Sequence, residues 1–342
     1  TISNSDIDIK EIFVSKLDGN RDQEWLLSTS GTTGTPKLVT YSLDRLMLTS
    51  KKNVLRGDEF SWGLCYDLNR FAGLQVYFQA ISSGSSLAIT ESSDVASDVV
   101  KLFAKKHVNC LSGTPSFWRK ILMTQGSSLL NLRRITLGGE IADQAVLTSL
   151  SKAFENSKIS HIYASTEAGV GFSVGDGLMG FPLEYLDSSI QSGVELKILD
   201  NILWIKSKGR ASEMLSGSLI IDKSGFINTG DVVEIKHNRV LFVGRDSGII
   251  NVGGNKVIPE EVESILNGCS DVLQSRVFGK KNSLLGMLVN AEIVVKSSYG
   301  PEEKKELKKK LMLLCKSNLE PFKVPAVIKI VEQIAVNDAG KI

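Results

Sequence analysis

Residues 26–42 read LLSTSGTTGTPKLVTYS and concentrate Ser and Thr hydroxyls, two glycines and one lysine. Backbone N–H groups and short hydroxyl donors can surround phosphate oxygens, and the Lys37 ammonium adds a positive charge. The stretch is not a Walker A loop, because Pro36 precedes Lys37 and Leu38 follows it, where that loop has Gly and then Ser or Thr. A polar surface loop has a similar composition. The stretch is therefore a candidate phosphate-binding loop with one open alternative.

In the first two-thirds of the chain, predicted strands alternate with predicted helices. Apolar runs predict strands at 86–90, 107–111 and 158–163, and helical patterns lie between them at 95–106 and 144–154. Strands that alternate with helices indicate a parallel α/β sheet. From about residue 190 the pattern changes to short alternating strands, read as VELKILD, ILWIKSK, SLIID, VVEIKHN and VLFVG. These predict a small antiparallel β subdomain.

A third pattern begins after Gly244. Pro259 begins a predicted helix over 259–267, two strands are predicted around a turn at 279–283, and Pro301 begins a charged helix over 301–319. The fold class predicted is therefore α/β. The predicted division is a large N-terminal domain (1–243), made of a parallel-sheet α/β subdomain (1–189) and a β subdomain (190–243), a hinge at 244–248, and a small mobile α+β C-terminal domain (244–342).

Composition excludes several classes of protein. The 342 residues carry 40 basic and 38 acidic side chains, a formal charge of +2, which gives no field to favour nucleic acid. The four cysteines occur singly, without a CxxC pair or a His cluster, which argues against zinc and disulfide frameworks. No apolar run reaches 18 residues and no secretory leader is visible. These features predict a cytoplasmic protein with reduced thiols and no membrane span.

Five further motifs follow the candidate loop in order. They are LGGE (137–140), YASTEAG (163–169), NTGD (228–231), GRDSGIINVGGNKVIPEEVE (244–263) and NDAGKI (337–342). Together with STSGTTGTPK, this series resembles the adenylate-forming superfamily, which includes acyl-CoA and aryl-CoA ligases, luciferases and peptide-synthetase adenylation domains. The resemblance covers about residues 24–342, with most of the family's N-terminal subdomain lacking.

The resemblance implies an enzyme that activates a carboxylic acid with ATP and Mg²⁺, releases pyrophosphate, and transfers the acyl group to a thiol, with CoA favoured. An anion must then attack a phosphorus surrounded by negative oxygens, so cations and donors must converge. Two alternatives stay open. One is an adenylating enzyme that loads a carrier protein, and the other is a catalytically degenerate nucleotide-binding protein.

The resemblance also implies catalytic roles. Thr166 would donate to the α-phosphate, Glu167 would hold Mg²⁺, and Lys341 would bridge the acid and the phosphate in the transition state. Taken singly, Glu167 is equally explained as a helix-start residue and Lys341 as a terminal lysine. The order of the motifs supports the catalytic roles.

Nucleotide contacts are implied in each motif. Tyr163 would stack on adenine, and Asp231 would accept from both ribose hydroxyls with Arg245 beside it. Glycine and hydroxyl groups of the loop would bind the β- and γ-phosphates. The implied ATP-binding residues are Ser30, Gly31, Thr32, Thr33, Gly34, Lys37, Gly138, Gly139, Glu140, Tyr163, Asp231 and Arg245.

The segment CYDLNRFAGLQVYFQAISSG, 65–84, would line the acid pocket, with Asn69, Arg70 and Gly73 as candidate substrate contacts. Arg70 would pair with a second anionic group of the acid, or would be an exposed residue of a solvated turn. The turn is similar to that of short o-succinylbenzoate:CoA ligases, so an aryl or dicarboxylic acid is the candidate substrate. Asp67 instead suggests an amino-acid substrate, although its spacing to Gly84 fits poorly.

The second half of the reaction involves the C-terminal domain. By register with Arg245 the hinge residue is Ser247, where relatives commonly have Asp or Lys. Gly253 and Gly254 would let a pantetheine arm of CoA approach, or would be a simple strand turn. Only about two dozen residues precede the candidate loop, so truncation and a natural short form are both open. A homodimer that covers the face left exposed is a further hypothesis.

Overall fold

The computed structural model describes eight segments of the chain. The described segments are 24–29, 37–51, 54–90, 94–187, 193–216, 219–282, 286–296 and 299–334. Ser30, Gly31, Thr32, Thr33 and Gly34 of the candidate loop, and Lys341, lie outside them.

The strands are β1 (Glu24–Thr29), β2 (Lys37–Ser42), β3 (Ser61–Leu64), β4 (Ser86–Ile89), β5 (Cys110–Gly113), β6 (Arg134–Gly138), β7 (Lys158–Ser165), β8 (Gly169–Val174), β9 (Phe181–Pro182), β10 (Val194–Leu199), β11 (Ile202–Ser207), β12 (Glu213–Met214), β13 (Ile227–Lys236), β14 (Arg239–Arg245), β15 (Ile250–Val252), β16 (Asn255–Val257), β17 (Val272–Asn282), β18 (Gly286–Val295) and β19 (Val327–Ile330). The helices are α1 (Leu43–Leu46), α2 (Phe71–Ser82), α3 (Ala96–Lys105), α4 (Pro115–Met123), α5 (Gln144–Ala153), α6 (Pro259–Asn267) and α7 (Pro301–Asn318).

A six-stranded sheet of order β4-β3-β5-β6-β7-β8 is the centre of the first part of the chain. Its first five strands are parallel and β8 is antiparallel to β7. Helices α3, α4 and α5 bury their apolar sides in one core with β5 and β6, around the fully buried Phe103 and Trp118. Truncating such an aromatic side chain costs about 3–5 kcal/mol. The core therefore makes this sheet a rigid support for the residues at its edge.

Local capping explains where two of these helices begin. The Thr114 hydroxyl accepts a hydrogen bond from the Phe117 N–H, and Pro115 occupies the first position of α4. The Asp143 carboxylate accepts from the Val146 N–H at the start of α5. Helix α4 therefore begins at Pro115, close after the carboxyl end of β5, and α5 begins at Gln144, after the turn that follows β6.

Two smaller sheets accompany the parallel one. The hairpin β1–β2 pairs with β12, and the antiparallel sheet β10-β11-β13-β14-β9 forms the predicted β subdomain. Its hairpins turn at Asp200–Asn201 and His237–Asn238, which all have positive φ, as type I′ turns require. Strand β9 already pairs with β14 ahead of residue 190. The division at 189 stays a prediction, and the mixed α/β fold class is confirmed.

Three predicted elements are wrong in their bounds. The 107–111 strand begins only at Cys110, because His107 has a positive φ of 52° and belongs to the preceding turn. SLIID forms only an isolated bridge at Ile221 within its described residues, because Asp222 accepts from Ser224 and Phe226 and so turns the chain. The turn predicted at 279–283 is wrong over its described residues, since β17 continues to Asn282.

The C-terminal part combines the sheet β16-β15-β18-β17 with helices α6 and α7, and β19 pairs in parallel with β18. Val257, Val262, Leu266, Leu311 and Ile293 are buried in its own core. The helix predicted over 259–267 has these bounds in the structure, and the second ends at Asn318. Among the described helices, none has both the length and the apolar character needed to cross a bilayer.

Candidate active site

Two predicted site residues, Gly138 and Tyr163, and one that was not predicted, Tyr66, lie at the carboxyl ends of the parallel strands. Tyr66 follows β3, Gly138 ends β6, and Tyr163 lies near the end of β7. The Tyr66 hydroxyl approaches the Gly138 carbonyl at 3.5 Å. Open α/β sheets bind ligands at this edge, where loops leave the strands. The fold therefore supplies a common site for motifs that are far apart in sequence.

Asp231 and Arg245 lie opposite each other in the β13–β14 hairpin. The Arg245 Nε donates to Asp231 Oδ1 at 2.8 Å, and the Asp231 side chain is 11% exposed. The Asp231 N–H donates to the Thr229 hydroxyl at 3.1 Å, whose own proton goes to the Leu203 carbonyl at 2.7 Å. The carboxylate is thus held on a rigid hairpin with one oxygen paired to a cation.

Tyr163 brings the other oxygen of this carboxylate into contact with the parallel sheet. Its hydroxyl donates to Asp231 Oδ2 at 2.5 Å. Its ring stacks with Phe172 and Phe242, with centroids 5.2 and 5.3 Å away. Burial, and then the Asp231 charge, raise the pKa of Tyr163 well above its ordinary value, so the hydroxyl keeps its proton. The ring is half-buried, and its stacking on adenine stays a prediction.

The turn that carries Thr166 and Glu167 is fixed through its backbone. The Tyr41 hydroxyl on β2 donates to the Thr166 carbonyl at 2.9 Å, and the Ala211 N–H donates to the Glu167 carbonyl at 3.0 Å. Gly169 has a φ of +75°, and a Cβ there would lie 2.1 Å from the Gly209 carbonyl oxygen. The backbone of this turn is therefore held between β2 and residues 209–211.

The β1–β2 hairpin carries the ends of the candidate phosphate loop. Lys37 pairs with Thr29 in register, so the segment between them leaves and re-enters this hairpin at one end. Strand β12 pairs with the other side of β2 through Val39 and Met214. Lys37 is therefore positioned by a three-stranded sheet, whereas the loop itself is not described.

Glu140 of LGGE has a structural contact. One carboxylate oxygen accepts from the Ser116 N–H at 2.9 Å, in the first turn of α4. Such a contact satisfies one of the N–H groups that a helix start leaves without an intrahelical partner. Gly139 has a φ of +83°, which suits glycine at this turn. The nucleotide contacts assigned to Gly138, Gly139 and Glu140 stay predictions.

The candidate acid-binding residues form a compact turn before α2. Asp67 accepts from the backbone and side-chain N–H groups of Asn69 at 2.8 and 3.1 Å. A Cβ on Gly73 would lie 2.2 Å from the Asp67 carbonyl oxygen, so glycine is required by packing. The half-buried Arg70 extends toward Ser28 of β1, with Nη1 3.4 Å from its carbonyl. Arg70 therefore points at the strand that leads into the candidate phosphate loop.

The acidic side chains near the site suit magnesium bound together with phosphates. Within the described segments, no group of three His, Cys, Asp or Glu residues could hold a metal alone. Mg²⁺ is commonly held by one or two carboxylates plus substrate phosphates and water. A single carboxylate such as Glu167 fits that pattern.

Comparison with protein families identifies the family of this chain. The sequence model of the AMP-binding enzyme family matches residues 19–211, more than half of the chain. The chain belongs to the AMP-binding enzyme family. The model of the AMP-binding enzyme C-terminal domain matches residues 261–341 of this AMP-binding enzyme. The predicted membership of the adenylate-forming superfamily is confirmed.

Similar proteins include several CoA ligases. A 2-succinylbenzoate–CoA ligase from Listeria innocua serovar 6a is 27% identical, over 93% of this chain and 68% of that ligase. The mitochondrial acyl-coenzyme A synthetase ACSM1 from Homo sapiens is 25% identical, over 92% of this chain and 59% of the synthetase.

Solved structures share the fold. The anthranilate CoA ligase AuaEII in complex with anthranoyl-AMP has a TM-score of 0.76 at 20% identity, over 93% of this chain and 65% of that chain. The Bacillus subtilis o-succinylbenzoate CoA synthetase MenE with the acyl-adenylate OSB-AMP has a TM-score of 0.68 at 21% identity, over 92% of this chain and 67% of that chain. This AMP-binding enzyme thus spans about two thirds of the length of these structures.

Sequence reasoning missed three contributors to the site of this AMP-binding enzyme. Tyr66 approaches Gly138, Thr229 supports the Asp231 backbone, and Phe242 stacks with Tyr163. Tyr66 had a usable signal, since it follows the carboxyl end of a predicted strand. Phe242 had none, because its contact joins two different sheets.

The predicted hinge of this AMP-binding enzyme lies in a short 3₁₀ helix, Asp246–Gly248, which contains Ser247. Beside it, the Glu260 Oε2 occupies the space that a Cβ of Gly244 would need, at 2.3 Å. That oxygen is buried and has no hydrogen-bond partner within the described segments. Burial raises the pKa of Glu260, and backbone N–H groups of Glu260 and Arg245 only partly oppose this. The turn at Gly253 and Gly254 is exposed.

Proposed function

We propose that this AMP-binding enzyme activates a carboxylic acid with ATP and transfers the acyl group to CoA. In the first step an acid oxygen attacks the α-phosphorus and pyrophosphate leaves, which forms an acyl-adenylate. In the second step the thiol sulfur attacks the acyl carbon and AMP leaves. The carrying observation is the Asp231 carboxylate, which is held by Arg245 and by Tyr163 of the motif that also contains Thr166 and Glu167.

This geometry supports a division of roles. Asp231 accepts from the ribose hydroxyls, Thr166 donates to the α-phosphate, and Lys37 neutralises the phosphates that leave. Glu167 would hold Mg²⁺, which supplies further charge neutralisation to the phosphate oxygens. Lys341 would approach from the C-terminal domain and stabilise charge that develops only in the transition state.

We propose an aryl or dicarboxylic acid as substrate, such as o-succinylbenzoate. The support is the half-buried Arg70, a bidentate donor for a carboxylate, together with the similarity to 2-succinylbenzoate–CoA ligases. The acceptor CoA is supported by the CoA ligases among the relatives. The exposed Gly253–Gly254 turn offers a surface that a pantetheine arm can approach.

The test is pyrophosphate release with ATP, Mg²⁺ and a panel of o-succinylbenzoate, benzoates and fatty acids. The full chain is compared with Lys341→Ala and with Lys308→Ala, a matched change of an exposed lysine on α7. We expect acid-dependent release that falls about 100- to 1,000-fold in Lys341→Ala and is unchanged in Lys308→Ala.

Mass spectrometry of the same reactions with CoA added identifies the acceptor. An acyl-CoA product supports the complete proposal. Acid-dependent release with CoA inert would replace CoA by a carrier protein. ATP binding without release for any acid would instead indicate a nucleotide-binding protein without catalysis.

We also propose that a second copy covers an apolar face near α2 and β4. Leu55 is 92% exposed, Val54 64% and Ile89 54%, and each is large and apolar. Sedimentation velocity from low to high concentration tests this. A monomer throughout the range would remove the homodimer.

A further inference from the structure

We propose that the Tyr163 hydroxyl is a positioning residue that orients the Asp231 carboxylate, and that this contact sets the discrimination between ribose and deoxyribose nucleotides. The inference rests on the proposed function, because it assumes that Asp231 binds the ribose of ATP. It assigns to the hydroxyl a task distinct from the predicted stacking of the ring on adenine.

The contact joins two sheets whose strands do not pair with each other. Tyr163 lies on β7 of the parallel sheet, and Asp231 lies on β13 of the antiparallel sheet. The Tyr163 hydroxyl is the donor to Oδ2, and the Arg245 Nε is the donor to Oδ1. Within the described segments, each oxygen of the carboxylate therefore has one donor from the protein, and the two donors come from different sheets.

A carboxylate has about four lone-pair sites, two on each oxygen. Tyr163 and Arg245 use one on each oxygen, and one on each remains. Two adjacent ribose hydroxyls can donate to that remaining pair only if the plane of the carboxylate is fixed. Arg245 through Nε alone leaves rotation about the Cβ–Cγ bond of Asp231 open. The Tyr163 hydroxyl removes that rotation.

The position of the hydroxyl is itself determined by packing. Phe172 and Phe242 stack with the Tyr163 ring, with interplanar angles of 12° and 7°. A Cβ on the neighbouring Gly171 would lie 2.9–3.1 Å from atoms of Ile205 and Tyr163. The raised pKa of Tyr163 keeps the hydroxyl a donor at neutral pH. The ring can therefore deliver its proton to one place.

The experiment measures binding of ATP and of 2′,3′-dideoxy-ATP to the full chain by isothermal titration calorimetry. Tyr163→Phe keeps the ring and removes the hydroxyl. We expect the Kd for ATP to rise about tenfold, as for loss of a hydrogen bond to a charged group, and the Kd for dideoxy-ATP to stay unchanged. The Kd for dideoxy-ATP divided by the Kd for ATP would then fall about tenfold.

Tyr185→Phe is the matched control. Tyr185 packs against Phe172 and Phe181 in the same aromatic cluster, but its hydroxyl donates to the Ser173 carbonyl at 3.3 Å. We expect Tyr185→Phe to leave the Kd values for ATP and for dideoxy-ATP unchanged. An equal loss for both nucleotides in Tyr163→Phe would assign the residue to ring packing and overturn the inference.

A double-mutant cycle with Asp231→Asn gives a second measurement. We expect Tyr163→Phe to have little further effect on ATP binding once Asp231 is changed. Additive effects would overturn the inference while the proposed function stands. Absence of ATP binding in the unaltered protein would instead remove the proposed function, and with it this assignment.

Discussion

Arg245 and Asp231 are directly paired across the β13–β14 hairpin, and Arg245 is also the last residue before the 3₁₀ helix Asp246–Gly248. One residue thus lies at both the candidate ribose site and the predicted hinge. The backbone of Arg245 approaches the Glu260 carboxylate, while its guanidinium binds Asp231. A change at Arg245 therefore affects both places.

We expect Arg245→Ala to raise the KM for ATP about tenfold, because the buried Asp231 carboxylate loses its only cationic partner within the described residues. Steady-state pyrophosphate release measures the KM. Arg239→Ala is the control, since Arg239 lies on the same strand and pairs with Asp176. Equal changes in KM for both variants would contradict the expectation.

The stability of the C-terminal part should depend on pH through Glu263. Burial, together with the Glu260 and Glu140 charges, raises the pKa of Glu263 to about 7 although the Val277 N–H donates to it at 2.6 Å. Between about pH 4.5 and 7 the folded state then binds the proton more tightly than the unfolded state. The free energy of unfolding contributed by this group is therefore lost as the pH rises through that window.

Glu263→Gln keeps an acceptor for Val277 and removes the charge. We expect the free energy of unfolding of Glu263→Gln, relative to that of the unaltered protein, to rise by about 3 kcal/mol from pH 4.5 to pH 8, measured by urea unfolding. Glu306→Gln is the control, because Glu306 is exposed and paired with Lys309. Parallel pH curves for Glu263→Gln and the unaltered protein would refute the assignment.

Two glycines with similar backbone angles should respond differently to alanine. Gly177 has a φ of +79° and open space around its Cβ position, so Gly177→Ala should cost about 1–2 kcal/mol. Gly169 has a φ of +75°, and its Cβ would overlap the Gly209 carbonyl. We expect Gly169→Ala to cost at least about 3 kcal/mol and to slow adenylation, because Glu167 must move. Thermal unfolding compares the two, and similar losses would show that the backbone contact is unimportant.

The acid pocket is tested through Arg70. We expect Arg70→Met to raise the KM for o-succinylbenzoate about tenfold and to leave that for benzoate within about twofold, because only the first acid has a second carboxylate. Arg56→Met is the control, since Arg56 is exposed and pairs with Glu59. A uniform loss for both acids would assign Arg70 to the phosphate side of the site.

Sequence alone predicted some elements to the residue and others poorly, for physical reasons. The sequence predicts helix α6 over 259–267 because Pro259 starts it, and the structure has these bounds. The sequence predicts a turn at Gly279, yet this glycine lies inside β17, where a Cβ would meet Met287 and Ile250. The sequence does not show whether a glycine is required by close packing or by a turn, because the residue type is the same in both cases. The fold distinguishes the two.

The site shows the same limit. The residue types of Asp231, Arg245 and Tyr163 were recognised from the order of the motifs. The bond between Tyr163 and Asp231 was not, because the two residues are 68 positions apart and belong to different sheets. Local patterns specify elements, whereas a contact between sheets depends on how the sheets pack.

The Glu260 carboxylate beside Gly244 has a consequence for any rotation of the C-terminal domain. In the present arrangement burial raises the pKa of this carboxyl, and one of its oxygens is shielded from water. Rotation about residues 244–248 would return the group to solvent and to its ordinary acidity. At a pH between the two pKa values, the balance between the two orientations would then shift toward the rotated one as the pH rises.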